Sequence, residues 1–303
     1  MPCEARFGAG VFGSRQADSV GLIELDMHIK KQPREHLNNV GMHLLNLHAQ
    51  SAPSSLQSDV MPWTMERYQQ EQDYIEKNLH DFFDIQLYSY IWLGSNKEKF
   101  EMIFDTGSSW VWVQNAKCKY CMANDHKFHS ERSTTYSQIS ESISVLQYGK
   151  GTVYGYNSLD DVCIKPDGDY GDGCMPQYLF KSVVGQRDLQ GLAGAGIIGL
   201  SPSTHDHEAQ LFVPTLYHSS AIKKNMFAMF IDPNGQSKIQ MGGYDLNKYA
   251  RGPIHWHDLS SPSFWQVRFD KVKVGSWSFK PSTHEAMADS GTSLNMIPDE
   301  DFN

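Results

Sequence analysis

The chain has 303 residues, which is enough for one large domain or for two lobes with a sizeable buried core. Its 26 Lys and Arg residues against 35 Asp and Glu residues give a formal charge of −9, and the absence of basic blocks argues against nucleic acid as a partner. With 12% aromatic and 20% charged residues the composition is that of a globular protein, and no apolar run is long enough for a transmembrane helix.

The N-terminal part of the chain differs in pattern from the rest. Residues 1–21 lack the apolar core of a secretory signal peptide and indicate no defined element. Residues 22–50 begin as a strand, cross a basic turn and then place apolar side chains at helical spacing, which predicts a helix. A stretch rich in Ser, Pro and Gln follows and is typical of a linker, and the charged residues 66–77 are predicted as a helix or an extended arm. The apolar positions of the predicted helix are Leu37, Val40, Leu44, Leu45 and Leu47.

From about residue 84 onward the sequence consists of short runs rich in Val, Ile, Phe and Tyr, separated by turn residues. Such runs predict β-strands, and the segment DPNGQ at 232–236 is typical of a hairpin turn between two of them. The strands are too many and too widely spread for one small barrel. The sequence therefore predicts an all-β protein. The runs are DIQLYSYIWLG, FEMIFDT, WVWVQ, SISVLQYGKGTVYGY, MFAMFI, SKIQMGG and FWQVRFDKVKVGSWSF.

Five cysteines are present, and four of them fall into two local pairs. Cys118 and Cys121 form a C-x-x-C spacing, and Cys163 and Cys174 flank a polar, Gly-containing segment. These pairs suit two small disulfide loops made in an oxidising compartment. A metal site, redox chemistry and free thiols are the alternatives, although a zinc site would lack its second half. Cys3 has no local partner.

Two segments far apart in the chain place an aspartate between an apolar run and a turn of small residues. FEMIFDTGSSWVWV does so at Asp105, and AMADSGTSLNMI does so at Asp289, which lies 184 positions later (289 − 105 = 184). Two facing carboxyl groups cannot both ionise in a low-dielectric cleft, so one stays protonated as an acid while the other accepts a proton from a shared water. That water attacks a peptide carbonyl without a metal or a covalent intermediate. The repeated turn therefore predicts an acid–base pair.

With these two turns the chain resembles the pepsin-like aspartic proteases, the cathepsin D and pepsin type, which are the established example of a dyad that shares one proton. DTGSS at 105–109 and DSGTS at 289–293 match the two active-site turns of that family. The resemblance extends over about residues 22–303. It implies a two-lobed all-β fold in which Asp105 and Asp289 are the catalytic pair.

The resemblance also implies roles for the neighbours of both aspartates. The hydroxyl residue directly after each aspartate is expected to join the two turns, and the next hydroxyl residue is expected to bond the outer carboxylate oxygen. The glycine between them lets the two turns approach closely. These supporting residues are Thr106, Gly107, Ser108, Ser290, Gly291 and Thr292.

A further segment, LQYGKG at 146–151, resembles the flap of the family, a hairpin that folds over the substrate. The resemblance implies that Tyr148, followed by Gly149, is at its tip, and that Trp112 is the tryptophan whose indole N–H meets the tyrosine hydroxyl. GIIGL at 196–200 resembles the strand that passes behind the first aspartate turn.

The family pattern also predicts the organisation of the chain. Residues 22–65 are expected to be an inhibitory prosegment with its linker, whose basic pair, Lys30 and Lys31, lies across the cleft against the aspartates. Residues 66–225 are expected to form the N-terminal lobe with the flap, and residues 226–303 the second lobe. Because the two lobes of the family are repeats, the strand behind Asp289 is expected near residue ~380, so the second lobe is expected to be incomplete here.

The function that the resemblance implies is that of an aspartic endopeptidase made as a zymogen, a monomer that cleaves extended polypeptides at acid pH. It implies the secretory pathway as the location, in a lysosome, a vacuole or outside the cell. No cofactor and no metal are expected: HDH at 205–207 and HWH at 255–257 have metal-like composition, but no third ligand is indicated. The alternatives are a catalytically silent, peptide-binding pseudo-protease or inactive fragment, and a half-built lobe that dimerises.

Overall fold

A computed structural model of the chain describes residues 24–28, 46–49, 74–82, 86–121, 126–189, 191–204, 208–232, 237–250, 252, 254–274 and 276–302. The chain divides into two compact units. The first, here named the 86–225 unit, contains Gln86–Asn225 and Asp289–Gly291. The second, here named the 226–288 unit, contains Met226–Ala288 and Thr292–Asn303 together with the described residues before Gln86.

Strands are the main secondary structure of the described residues, and the helices are short, which confirms the prediction of an all-β protein. A 3-10 helix spans Ser130–Arg132. In chain order the strands are β1 (Glu24–His28), β2 (Asn46–Ala49), β3 (Ile75–Phe82), β4 (Gln86–Leu93), β5 (Glu98–Asp105), β6 (Val111–Gln114), β7 (Ser137–Gln138), β8 (Ser144–Gln147), β9 (Thr152–Cys163), β10 (Asp169–Tyr170), β11 (Gly173–Arg187), β12 (Gly196–Gly199), β13 (Phe227–Phe230), β14 (Ser237–Met241), β15 (Gln266–Arg268), β16 (Lys271–Val274), β17 (Trp277–Phe279) and β18 (Glu285–Met287), and the helices are α1 (Phe212–His218), α2 (Leu246–Tyr249) and α3 (Asp299–Phe302).

Six strands of the 86–225 unit pair in a closed ring. β4 pairs with β5, β5 with β12, β12 with β6, β6 with β11, β11 with β9, and β9 again with β4. The pairs β5–β12 and β6–β11 are parallel, and the other four are antiparallel. Strands β7 and β8 add to β9, and β10 adds to β11. The ring gives each of its six strands a hydrogen-bonded neighbour on both sides.

Large aromatic side chains fill the interior of the 86–225 unit. Strand β4 alternates between buried and half-buried positions, as expected for a strand with one face on a core, whereas β6 and β12 are buried throughout. The ring of Phe128 contacts those of Phe100 and Phe180 edge to face, at centroid distances of 6.0 and 5.8 Å. The largest fully buried aromatic residues are Trp112, Tyr178, Phe100, Phe104, Phe128, Phe180 and Phe212.

Both local cysteine pairs form disulfide bonds, as the disulfide prediction required. Cys118 is bonded to Cys121, and Cys163 is bonded to Cys174. The second bond joins the last residue of β9 to β11, whose residue Cys174 lies directly opposite Cys163 in the ladder. It therefore closes the loop 163–174 at its base.

The 226–288 unit contains smaller sheets. Strands β13, β14 and β3 form an antiparallel sheet, and the β13–β14 pair flanks the predicted hairpin turn, of which residues 233–236 lie outside the described residues. Strand β1 pairs in parallel with β16 and antiparallel with β2, β16 pairs with β17, and β15 pairs with β18. Glu76 on β3 accepts a hydrogen bond from the hydroxyl of Tyr249 at 2.8 Å, which attaches α2 to this sheet.

One local prediction is wrong where the structure describes it. Asn46–Ala49, at the end of the segment predicted as a helix, forms strand β2, because its backbone pairs with β1 and tertiary pairing outweighs local spacing. The other apolar positions of that helix, residues 1–21 with Cys3, the basic pair Lys30 and Lys31, and the histidines of HDH lie outside the described residues.

The predicted lobe limits and the two units differ in two respects, one of which is that Asp289–Gly291, predicted in the second lobe, groups with the 86–225 unit. The sequence assigns residues 66–85 to the N-terminal lobe, whereas β3 groups with the 226–288 unit. β3 begins at Ile75, so the end of the predicted charged arm is extended. Among the described residues, no helix has the length and apolar character needed to cross a membrane.

Candidate active site

The first aspartate turn begins where β5 ends. Asp105 is the last residue of β5, and its side chain is buried, with 6% of its surface exposed. Its Oδ1 accepts a hydrogen bond from the backbone N–H of Gly107 at 2.9 Å, and its Oδ2 accepts one from the hydroxyl of Ser108 at 2.5 Å. Both carboxylate oxygens are therefore held by the turn that follows.

Strand β12 supports this turn from behind. It lies between β5 and β6, with Gly199 opposite Asp105 and Ile198 opposite Val111. Beyond the ladder, the backbone N–H of Leu200 donates to the carbonyl oxygen of Asp105 at 2.7 Å. An ideal Cβ at Gly199 would lie 2.7 Å from the carbonyl oxygen of Ser108, so only glycine permits this close packing. The segment GIIGL thus occupies the place that the resemblance implied.

The second aspartate turn, Asp289–Gly291, belongs to the same unit as the first. The backbone N–H of Thr106 donates to Ser290 Oγ at 3.1 Å, and the backbone N–H of Ser290 donates to Thr106 Oγ1 at 2.8 Å. The hydroxyl of Ser290 in turn donates to the carbonyl oxygen of Phe104 at 2.6 Å. This reciprocal pair of hydrogen bonds joins the two turns through the hydroxyl residues that follow each aspartate.

The two turns also repeat each other in their internal bonding. The backbone N–H of Gly291 donates to Asp289 Oδ1 at 2.9 Å, and this bond has the same length as the bond from Gly107 to Asp105. Thr292 belongs to the 226–288 unit, and its bond to the outer oxygen of Asp289 stays a prediction. The two turns thus share one bond of the same kind, from the glycine N–H to the Oδ1 of the aspartate two residues earlier.

The glycine of each turn packs directly against the carboxylate of the other. An ideal Cβ on Gly107 would lie 2.6 Å from Cγ and Oδ1 of Asp289, and an ideal Cβ on Gly291 would overlap Oδ1 of Asp105. Any side chain at either position would occupy the space of the opposite carboxyl group. The packing of each glycine against the opposite carboxyl group therefore determines how closely the two carboxyl groups approach.

Burial and the second carboxylate together change the protonation of Asp105. Burial raises the pKa of its carboxyl group, and the neighbouring charge of Asp289 raises it further, while the hydrogen bonds from Ser108 and Gly107 act in the opposite direction. The net effect raises the pKa of Asp105 to about 7. A pair with this property holds one proton over the acid range, and that proton belongs to the pair as a unit.

The flap hairpin comprises β8, the turn 148–151 and the first part of β9. The backbone N–H of Tyr148 donates to the carbonyl oxygen of Gly151 at 2.7 Å and closes the turn, while a Cβ on Gly149 would meet open space. Burial and the charge of Asp105 raise the pKa of the Tyr148 phenol, whereas the side chains of Ser108 and Trp112 lower it. Tyr148 therefore lies close enough to the first aspartate turn to interact with its charge.

Trp112 lies on β6, and its ring packs near the ring of Tyr148 in the flap. Its ring centroid is 6.4 Å from that of Tyr148, and both side chains pack in one apolar cluster with the Cys118–Cys121 disulfide. The indole Nε1 of Trp112 is buried. Its hydrogen bond to the tyrosine hydroxyl stays a prediction.

The structure adds residues that the sequence reasoning did not select. Lys181 on β11 is buried at 1% exposure, and its ammonium group contacts Ser144, Asn157 and Trp110. The signal in the sequence is a lysine inside the apolar strand segment YLFKSVV.

For HWH, burial and the charge of His255 lower the pKa of His257, and the described residues include no group of three or more His, Cys, Asp or Glu arranged to hold a metal ion.

Similar proteins match most of this chain. A family model described as eukaryotic aspartyl protease matches residues 86–303. Cathepsin D of Rattus norvegicus is 27% identical over 300 residues, which cover 95% of this chain and 71% of that protein, and cathepsin D of Homo sapiens is 27% identical over 299 residues, covering 93% and 70%. Pepsin-2B of Gadus morhua is 31% identical over 221 residues, which cover 71% of this chain and 66% of that protein.

Proposed function

Because the chain belongs to the eukaryotic aspartyl protease family, we propose that it is an aspartic endopeptidase whose catalytic groups are Asp105 and Asp289. The main observation behind this proposal is that the glycine of each turn packs against the carboxyl group of the other turn. An aspartate in an ordinary surface turn would not require this close packing, whereas here both turns show it.

The chemistry follows from one proton shared by two carboxyl groups. Before the reaction the pair carries one negative charge, and a water molecule bridges the two groups. The carboxylate accepts a proton from that water as its oxygen bonds to the carbonyl carbon of the peptide, while the protonated carboxyl group donates its proton to the carbonyl oxygen. Collapse of the resulting diol breaks the C–N bond: the proton taken from water passes to the amine nitrogen, and a diol hydroxyl returns a proton to the other carboxylate, which restores the pair.

The substrate is an extended segment of polypeptide, held as a strand beneath the flap. The charge of Asp105 raises the pKa of Tyr148. This supports the placement, because such an interaction requires the flap tip to lie near the reacting groups. Closure of the flap excludes water other than the one that reacts.

We propose further that the protein is a monomeric zymogen of the secretory pathway, acting in a lysosome, a vacuole or outside the cell. Two disulfide bonds support an oxidising compartment. The basic segment within residues 22–65, with Lys30 and Lys31, is then the inhibitory part of the chain.

The test is hydrolysis of an unfolded protein substrate at about pH 3–5, where carboxyl groups titrate. The chain is compared with Asp105→Asn, and with Asp172→Asn as a matched control, because Asp172 is an exposed carboxylate paired with Lys165. Turnover by the parent and by the control, with loss of at least about 1000-fold in Asp105→Asn, is expected for a working dyad. Equal binding of a peptide by all three chains without turnover would favour the silent pseudo-protease.

A further inference from the structure

Lys181 is a charged side chain in an apolar setting. It lies on β11, with Asn157 of β9 opposite on one side and Trp112 of β6 on the other, and it is 1% exposed. Lysine is among the residues least often fully buried, since its ammonium group must find partners that replace water. A buried lysine at this place therefore needs a structural or functional reason.

The ammonium group of Lys181 has well-placed partners. Its Nζ donates to Ser144 Oγ at 2.5 Å and to Asn157 Oδ1 at 2.8 Å, and it lies 3.8 Å from the ring centroid of Trp110. An ammonium group has three N–H donors, and a hydroxyl oxygen, an amide oxygen and the face of an indole ring are all suitable acceptors. The contacts hold the nitrogen in one position.

These three partners come from the two strands of the flap hairpin, β8 and β9, and from the residue directly after the first aspartate turn. Ser144 is the first residue of β8 and Asn157 lies on β9, so the two arms of the flap hairpin meet at one nitrogen atom. Trp110 directly follows the turn 105–109, and its carbonyl oxygen accepts a hydrogen bond from the backbone N–H of Gly199 at 3.0 Å. Lys181 thus bridges both arms of the flap and the end of the aspartate turn.

We propose that Lys181 is a positioning residue that fixes the base of the flap relative to the aspartate turn. The base of a hairpin determines where its tip lies, so the bridge sets the position of Tyr148 relative to Asp105. Its consequence is affinity for an extended peptide, because the flap closes over bound substrate. The test of this inference by KM rests on the proposed function, whereas its test by hydrogen exchange rests on the geometry alone.

The first experiment measures backbone hydrogen exchange and needs no catalytic activity. Lys181→Met keeps an unbranched side chain of similar length and removes the ammonium group. We expect amides in residues 144–157 to exchange about tenfold faster, as loss of a charged hydrogen bond permits, with the β4–β5 hairpin unchanged. The matched control is Lys165→Met, which removes a lysine paired with Asp172 in the loop 163–174. Unchanged exchange at 144–157, or an equal increase in β4 and β5, would overturn the proposal.

The second experiment separates positioning from simple loss of folded protein. Active sites are titrated with a peptide in which a hydroxyl-bearing carbon replaces the scissile carbonyl, and kcat is expressed per titrated site. For Lys181→Met we expect KM to rise about tenfold with kcat within about twofold, because the flap contributes binding rather than proton transfer. An unchanged KM, with activity falling only in proportion to the titrated sites, would show a purely structural role.

Two further variants keep the inference testable if Lys181→Met does not fold. Ser144→Ala removes one acceptor at the flap and leaves β11 intact, so a rise in KM of about threefold is expected. Asn157→Asp places a carboxylate beside the ammonium group and is expected to keep KM at or below the parent value. A parent chain without turnover would refute the proposed function, while the hydrogen exchange of Lys181→Met or Ser144→Ala would still decide the role of Lys181.

Discussion

Among single residues, Gly107 and Gly291 are constrained by the carboxyl groups that they face. Each has the opposite carboxyl group where a side chain would begin, so Gly107→Ala forces the two turns apart. We expect a loss of about 1–3 kcal/mol in the free energy of unfolding, as for an overpacked core, and a fall in kcat/KM of at least about 100-fold, because the shared proton depends on close approach. Thermal unfolding and peptide hydrolysis measure the two effects.

The matched control for this substitution is Gly252→Ala. A Cβ at Gly252 would meet open space within 4 Å, so the same chemical change there is expected to alter neither quantity appreciably. If Gly107→Ala behaved like Gly252→Ala, the close approach of the turns would be refuted.

The raised pKa of Asp105 predicts a pH dependence of stability with a definite sign. The folded state binds this proton more tightly than the unfolded state, since the pKa rises from 3.8 to about 7 on folding. The stabilisation from this group is therefore complete below about pH 4 and is lost as the pH rises to about 7, by at most about 1.4 kcal/mol per pH unit.

The measurement for this prediction is denaturant unfolding of the parent and of Asp105→Asn between pH 4 and pH 7. Because asparagine does not titrate, its stability relative to the parent is expected to improve as the pH rises. Glu76, whose pKa is lowered, gives the opposite trend but is present in both proteins, so it cancels in the difference. A difference that is independent of pH would contradict the raised pKa.

At the scale of elements, the two disulfide bonds are expected to differ in their contribution to stability. Cys163–Cys174 spans 11 positions and Cys118–Cys121 spans 3, so the first restricts the unfolded chain more. The chain-entropy relation gives a difference of about 1 kcal/mol in its favour. Replacing each pair by alanine and comparing urea unfolding at one pH measures this difference. An equal or larger loss from the Cys118–Cys121 pair would contradict the relation here.

Strands and aspartate turns differ from the N-terminal segment in how far the sequence predicts them. The runs that became β4, β5 and β6 are predictable because alternating or continuous apolar residues specify a buried strand. The turns at Asp105 and Asp289 are predictable because their short motifs carry the bonding groups themselves. Strand β2 could not be predicted, since its partner β1 supplies the pairing and local spacing favoured a helix.

The bridge at Lys181 marks a second limit of prediction from the sequence. Its partners come from β8, β9 and the residue after the first turn, which are widely separated along the chain. Only the ring of strands brings them to one nitrogen atom. A lysine in an apolar strand signals that partners exist but does not identify them.

For the whole molecule, the proposed prosegment predicts a pH-dependent release of inhibition. If Lys30 and Lys31 lie against the aspartates, then Lys30→Ala with Lys31→Ala weakens the attraction of the prosegment for the cleft. At about pH 6, where part of the carboxyl charge remains, we expect initial activity to rise severalfold, while activity after prolonged incubation at pH 4 stays unchanged. Hydrolysis of a short peptide during the first minutes measures the effect.

The chain supplies a matched control for this pair, because Lys223 and Lys224 are also adjacent lysines. Alanine at both of these positions is expected to leave the initial activity unchanged. Equal activation by the two double variants would indicate a general effect of net charge and would refute a specific contact of the prosegment.

The position of β12 between β5 and β6 has a consequence for the order in which the protein is made. The carbonyl oxygens of Asp105, Ser108 and Trp110 are hydrogen-bonded by residues 199–201, which leave the ribosome roughly 95 residues after Asp105. At about 5–20 residues per second that interval is on the order of 10 s. During this interval the first turn lacks the hydrogen bonds from residues 199–201 that support it. Asp289 is synthesised later still. If Asp105 and Asp289 are the catalytic pair, a nascent chain cannot cleave its neighbours during this interval, because the proposed pair is still incomplete.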